Sequence, residues 1–290
     1  MSYSEFTGGF ATVRLTVPKI STPADTVAVK RAPQRELELK VAALQKDYAA
    51  LHTELVEAAQ VHRRLCAPHL VRYHNFEIAS ETFAVRHVPG DFFAIEETSS
   101  GVILALSDIC GKGLAAGMWT TYLAGLVRTH TAATAEPEAI VSGVNRDLCR
   151  MASVAPLASL FLGRLDPSTG RLDYCSAGHP PALLLRADGH LESHSEGGPL
   201  LGVIAAAPFG RGCVELCVGD LLLVCSDGIL ESLNKAGQEF GYERLEAQLR
   251  SARGDAAAVL YSVLGAVQDF AAGGPLVDDM SLVIVSRRAL

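Results

Sequence analysis

The sequence predicts an α+β fold of antiparallel sheets layered with helices, and three observations lead there. Short apolar runs of strand length recur from residue 76 onward. Several are joined by hairpin signals, such as Asp166-Pro167-Ser168-Thr169-Gly170 and Asp188-Gly189. Helical patterns enter in pairs, at 114–131 with 137–151 and at 242–252 with 255–272. Strands therefore do not alternate one for one with helices, as a doubly wound parallel sheet would require.

Taken in order, residues 1–35 read as an irregular N-terminal segment carrying Pro18, Pro23 and Pro33. From Glu36 the character changes. Leu37, Val41, Leu44, Tyr48, Leu51, Leu55, Ala58, His62 and Leu65 are spaced alternately by four and three, an a/d heptad pattern sustained for about four heptads. No Gly or Pro interrupts it until Pro68. The spacing predicts a coiled-coil or linker helix over 36–67, and so narrow an apolar seam needs a partner. A second copy is the reading favoured, a homodimer through residues 37–65. The alternative is packing on the chain's own domain. Residues 68–290 form the expected globular domain, with strands at 76–80, 83–88, 92–95, 102–106, 158–166, 171–177, 182–186, 211–216, 220–225 and 281–286.

Composition narrows the function classes. With 49% hydrophobic and 20% charged residues in 290, the chain can bury a sizeable core. A net charge of −7 gives no general attraction to nucleic acid or to an anionic membrane. The 7 cysteines are scattered, and Cys213 and Cys217 lack the two-pair spacing of a zinc site. A reducing cytoplasm fits them. The first residues show no basic stretch followed by an apolar one, so no signal peptide is expected. No apolar run approaches the ~20 residues of a membrane helix.

The chemistry lies in acidic residues at strand ends. In LALSDICGKGLAAG, residues 104–117, a buried strand stops at Ser107-Asp108, turns through Gly111 and Gly113, and restarts as a helix. A P-loop is excluded, because Gly113 follows Lys112 and the GxxxxGK[ST] spacing is absent. Taken alone, Asp108 reads as a helix cap. Yet Asp91 in VPGDFF, Asp227 in LLLVCSDGIL, and Asp278 and Asp279 in VDDMSLVIV occupy the same kind of place. An unpaired buried carboxylate is costly. Four of them meeting at one rim call for hard divalent cations with oxygen ligands, and no His/Cys cluster offers a softer site.

The order GDFF, SDICGKG, SAGHPP, GDLLLVCSDGILES and DDMS resembles the SpoIIE/RsbU-type branch of the metal-dependent protein phosphatases (PPM, type 2C). The resemblance covers roughly residues 54 to 288, and EAAQVHRRLCAP is similar to the linker helix that precedes this domain in relatives. It implies an αββα sandwich of two antiparallel sheets flanked by helices, and a centre of two Mn2+ or Mg2+ ions. Asp91, Asp108, Asp227 and Asp278 match the acidic ligands, and Ile109 matches the residue whose backbone carbonyl also ligates. Asp279 aligns where relatives often have Asn. Arg86 matches a phosphate-binding arginine of some relatives, the alternative being a solvated strand arginine, and Gly228 matches a turn glycine. Such a pair of ions acidifies a water for in-line attack on phosphorus, so no protein nucleophile is required and Ser107, Ser226 and the cysteines are set aside. The sequence departs from the pattern at Pro89, Ser107 and Cys110, none of which removes a ligand. His179 in SAGHPP reads as a turn-shaping residue. The resemblance implies a cytoplasmic protein serine/threonine phosphatase acting on a STAS-type anti-anti-sigma phosphoprotein in partner-switching signalling. The alternatives are a degenerate domain serving as a coiled-coil scaffold and a small-molecule phosphatase.

Overall fold

The computed structural model describes residues 23–65, 70–99, 101–151, 156–274 and 276–289, with side chains from Arg35 onward. The chain divides into two compact units, Met1–Thr53 and Glu54–Leu290. Helix α1 (Pro23–Leu65) begins inside the segment expected to be irregular. Pro23 occupies its first position, where a missing N–H leaves no bond unmade.

The second unit then runs β1 (Leu70–Tyr73), β2 (Phe76–Phe83), β3 (Phe92–Thr98), β4 (Gly101–Ile109), α2 (Leu114–Ala133), α3 (Pro137–Arg150), β5 (Ala158–Leu165), β6 (Arg171–Ala177), β7 (Ala182–Leu185), β8 (Leu191–His194), the two-residue β9 (Gly197–Gly198), β10 (Gly212–Glu215), β11 (Leu221–Cys225), the single turn α4 (Asp227–Leu230), α5 (Gly241–Ser251), α6 (Ala256–Phe270) and β12 (Met280–Arg287). One sheet has the order β1-β2-β12-β11-β7-β8 and the other β10-β6-β5-β4-β3, with β9 pairing β6. All pairings are antiparallel except the short β6–β9 one.

The period of two along each strand builds the layers. In β12, Met280, Leu282 and Ile284 face α5 and α6, whereas Val283 and Val285 face the other sheet. In β4, Ile103 and Ala105 face α2 and α3, whereas Val102, Leu104 and Leu106 face the first sheet. Two helix–sheet cores and one sheet–sheet core result, which is the αββα sandwich expected.

One expected strand is absent. The chain leaves β2 at Phe83, and residues 84–90 bend instead of continuing a ladder. Their backbone donors go elsewhere: the Asp279 carboxylate accepts from Val85 N at 2.7 Å and from Gly90 N at 2.6 Å. The heptad seam also divides. Leu37, Val41, Leu44, Tyr48 and Leu51 are exposed, Leu44 to 70%. Within the second unit, Ala59 and His62 are buried and Leu55, Ala58 and Leu65 half-buried. The end of the seam therefore packs on the chain's own domain, and only its 37–51 part remains open for a second copy.

Candidate metal centre

Both sheets deliver acidic residues to one rim. The β3–β4 register pairs Phe92 with Ser107, which sets Asp91, one residue before β3, beside Asp108. Asp108 lies within β4 and not beyond it: the strand continues to Ile109, pairing Asp108 with Ser159 and Ile109 with Ala158. In the other sheet β11 ends at Cys225, paired with Leu282. Ser226 N then donates to Ser281 O, and Ser281 N to Ser226 Oγ, each at 3.0 Å. That exchange fixes the point where Asp227 opens α4 and where Asp278-Asp279 precede β12.

Gly228 makes this junction possible by absence of bulk. A Cβ there would lie 2.0 Å from the Asp279 carbonyl oxygen, so the two segments touch backbone to backbone. Its φ is not positive, and close approach, not a special turn, is what requires glycine. A Cβ on Gly90 would stand 3.4 Å from the Ile109 carbonyl oxygen, so that carbonyl faces the turn carrying Asp91.

The carboxylates feel one another. Asp91 is 1% exposed, and burial, followed by the charge of Asp108, holds its carboxyl well above the usual range. Asp91 Oδ2 is buried without a hydrogen-bond partner. Burial, then the charge of Asp227, pushes Asp108 up to about 6. Burial and then Asp278 raise Asp227. Asp278 itself pairs with Lys112 Nζ at 2.6 Å. Among the described residues, no three His, Cys, Asp or Glu side chains are gathered closely enough to hold an ion as they stand. The four positions are within electrostatic reach of one another but are not drawn into a closed cage. An all-oxygen donor set with a buried, unpartnered carboxylate oxygen fits a hard divalent cation and no softer metal.

Arg86 is exposed on the bend after β2, and its Cδ would lie 3.2 Å from a Cβ on Gly113, in the turn that follows Asp108. Arg86 and Asp91 also line a cavity of about 600 Å³ walled by Ala59, His62 and Arg63 of α1. His179 is buried, accepts or donates a 2.8 Å bond with Ser159 Oγ, and is pushed down to about 3 by burial. Its backbone carbonyl accepts from Ser176 Oγ at 3.3 Å in the turn after β6. Partial burial and then the charge of Asp108 raise the Cys110 thiol, and burial pushes Cys225 up to about 12, so neither supplies a thiolate. Sequence reasoning missed two participants, Asp279 as the clamp on residues 85–90 and Lys112 as the cation at Asp278. Asp279 had only its adjacency to Asp278 to mark it, and Lys112 only its place between two glycines.

The family model for stage II sporulation protein E (SpoIIE) matches residues 98–288. Protein IcfG of Synechocystis sp. is 23% identical over 220 residues, 66% of this chain and 35% of that protein, so the chain spans about a third of that relative's length. The SiaA-PP2C domain of Pseudomonas aeruginosa superposes with a TM-score of 0.72 at 17% identity, over 83% of this chain and 98% of that one. The RsbU and RsbW domains of Rv1364c from Mycobacterium tuberculosis give 0.63 at 24% identity, over 77% and 63%. The catalytic domain of the serine/threonine phosphatase PstP, solved with two manganese ions, gives 0.54 at 19% identity, over 74% and 99%. At these identities the structures establish the fold, that of the PP2C domains, and the family model establishes kinship: the chain belongs to the SpoIIE family.

Proposed function

We propose that this chain is a metal-dependent protein serine/threonine phosphatase whose centre is formed by Asp91, Asp108, Asp227 and Asp278 with the carbonyl of Ile109. The observation that carries the reading is the arrival of four mutually repelling carboxylates at one rim, one of them buried with an unpartnered oxygen. Two Mn2+ or Mg2+ ions would neutralise them and supply an acidified water for in-line attack at phosphorus. The protein's part is to hold the ligands, and the Ser226–Ser281 exchange, the Asp279 clamp and the backbone contact at Gly228 do so. Arg86 would take phosphate oxygens with its planar fork of donors. No serine or cysteine of the chain is a nucleophile in this scheme.

The substrate proposed is a phosphorylated STAS-type anti-anti-sigma protein. Support comes from SpoIIE membership and from the fold likeness to a chain that couples RsbU to RsbW. The active assembly proposed is a homodimer through the exposed face of α1, and the cytoplasm is the compartment proposed. Among the described residues no helix is long and apolar enough to cross a membrane.

The test is hydrolysis of an aryl phosphate, of free phosphometabolites and of a phosphorylated STAS protein, with Mn2+ and then with excess chelator. Release of phosphate from the protein that chelator abolishes is the expected result. Full activity in chelator would sink the mechanism. Turnover of metabolites alone would make it a small-molecule phosphatase, and no hydrolysis with any of them would favour a scaffold.

A further inference from the structure

Lys112 is carried across the rim by the turn that follows β4. Gly111 and Gly113 flank it with φ of 132° and 80°, values that L side chains rarely adopt, so the turn is fixed by its two glycines. The side chain leaves its own sheet and reaches the segment before β12 in the other. Its Nζ donates to the Val277 carbonyl at 2.6 Å and pairs with Asp278 Oδ2 at 2.6 Å. The remaining oxygen, Asp278 Oδ1, accepts from Asp279 N at 2.9 Å. Both oxygens of the fourth carboxylate are thus engaged outside the cluster.

Two other observations describe the rest of the cluster. Asp91 Oδ2 is buried without a partner. No three acidic side chains among the described residues close on a common point. Asp278, the fourth proposed ligand, is the one held by an ammonium.

We infer that Lys112 is a resident counter-cation, a positioning residue that holds Asp278 in the metal-free protein and is displaced when a divalent cation enters. The inference rests on the metal-site reading proposed above. The chemistry of lysine suits the role: a compact charge on a flexible stem can swing into water, and its side chain here is already 38% exposed. An ion pair this open to solvent is weak, so a divalent ion with several carboxylates can displace it. The consequence is lower affinity at the position that Asp278 serves, and a centre that closes only when the ion arrives.

Reductive methylation read peptide by peptide in a mass spectrometer reports on the Nζ directly, with exposed Lys235 as internal standard. Saturating Mg2+ should raise labelling of Lys112 several-fold relative to Lys235, and Asp278→Asn should give the high value without metal. In calorimetric titration with Mn2+ alone, Lys112→Met should bind several-fold more tightly than the wild type. Mn2+ binding with Lys112 labelling unchanged or reduced overturns the inference while leaving the metal site standing, as does Lys112→Met binding no more tightly. If Lys112→Met does not fold, the labelling of the wild-type protein decides. No binding of Mn2+ by the wild type would remove the metal-site reading itself, a separate result.

Discussion

At the scale of single residues the centre is a set of charges placed against their own preference. Asp91, Asp108 and Asp227 are each raised by burial and by a neighbouring carboxylate. Evolution of such a cluster without a cation would be destabilising, so removing one charge has two opposite effects. Asp108→Asn and Asp227→Asn should abolish metal-dependent phosphate release, while the metal-free proteins melt at or above the wild-type temperature. A variant of either kind that keeps the wild-type rate would show the ligand set to be wrong. His179 carries the opposite logic. Its folded value is about 3 against an ordinary 6.5, so the folded state keeps it neutral while the unfolded chain takes up a proton. The stability it confers is complete above about pH 6.5 and falls as the pH drops toward 3. One pH unit is worth about 1.4 kcal/mol, so some 2 kcal/mol should be lost between neutrality and pH 5. His179→Gln should melt lower at pH 7.5 yet fall less on acidification, which calorimetry at both pH values checks. The aspartates proposed as ligands were marked in the sequence because each borders an apolar strand. The roles of Asp279 and Lys112 were not marked, because their partners, Gly90 and Asp278, lie far away in the chain.

At the scale of elements, the β2–β3 connection is held by a residue far along the chain. Alternation in residues 83–88 reads as a strand, and β3 and β4 indeed formed where apolar runs predicted them. The connection bends because a carboxylate from the opposite end of the sequence offers its backbone donors better acceptors than a ladder would. Period alone cannot reveal that. β1, β8 and α4, each only four residues long, were not among the expected elements. Hydrogen bonds to a charged group are worth about 1.5–3 kcal/mol each. Asp279→Ala should therefore free residues 84–90, speed amide exchange at Val85 and Gly90, and weaken Mn2+ binding, because Asp91 follows directly. Asp279→Asn, which keeps one acceptor oxygen, should fall between. Unchanged exchange at both amides in Asp279→Ala would show that the bend is held by something else. The last turns of α1 border this device: His62 is 4% exposed and feels the charge of Asp279, and Arg128 Nη2 donates to the Leu65 carbonyl at 2.8 Å.

For the whole molecule, the sandwich and the order of its acidic motifs were readable because both follow from local pattern, whereas the division of the heptad seam was not. A run spaced by fours and threes states that one face is apolar and leaves open what covers it. The domain covers Ala59 and His62, but Leu37, Val41, Leu44, Tyr48 and Leu51 stay exposed over four turns of one helix. In the homodimer proposed above, a second copy would cover that free face, and the expected consequence is a shift in the turn bearing Asp91. Leu51→Glu would set a charge in the middle of that face, which is 56% exposed at Leu51 in the single chain and therefore tolerates the substitution without loss of fold. Light scattering should find the wild type dimeric and Leu51→Glu shifted to monomer, and Mn2+ titration should show the variant needing more metal for the same rate. A variant that stays dimeric refutes the seam. One that becomes monomeric with an unchanged metal dependence keeps the seam and refutes its coupling to the centre, leaving the helix as a tether alone.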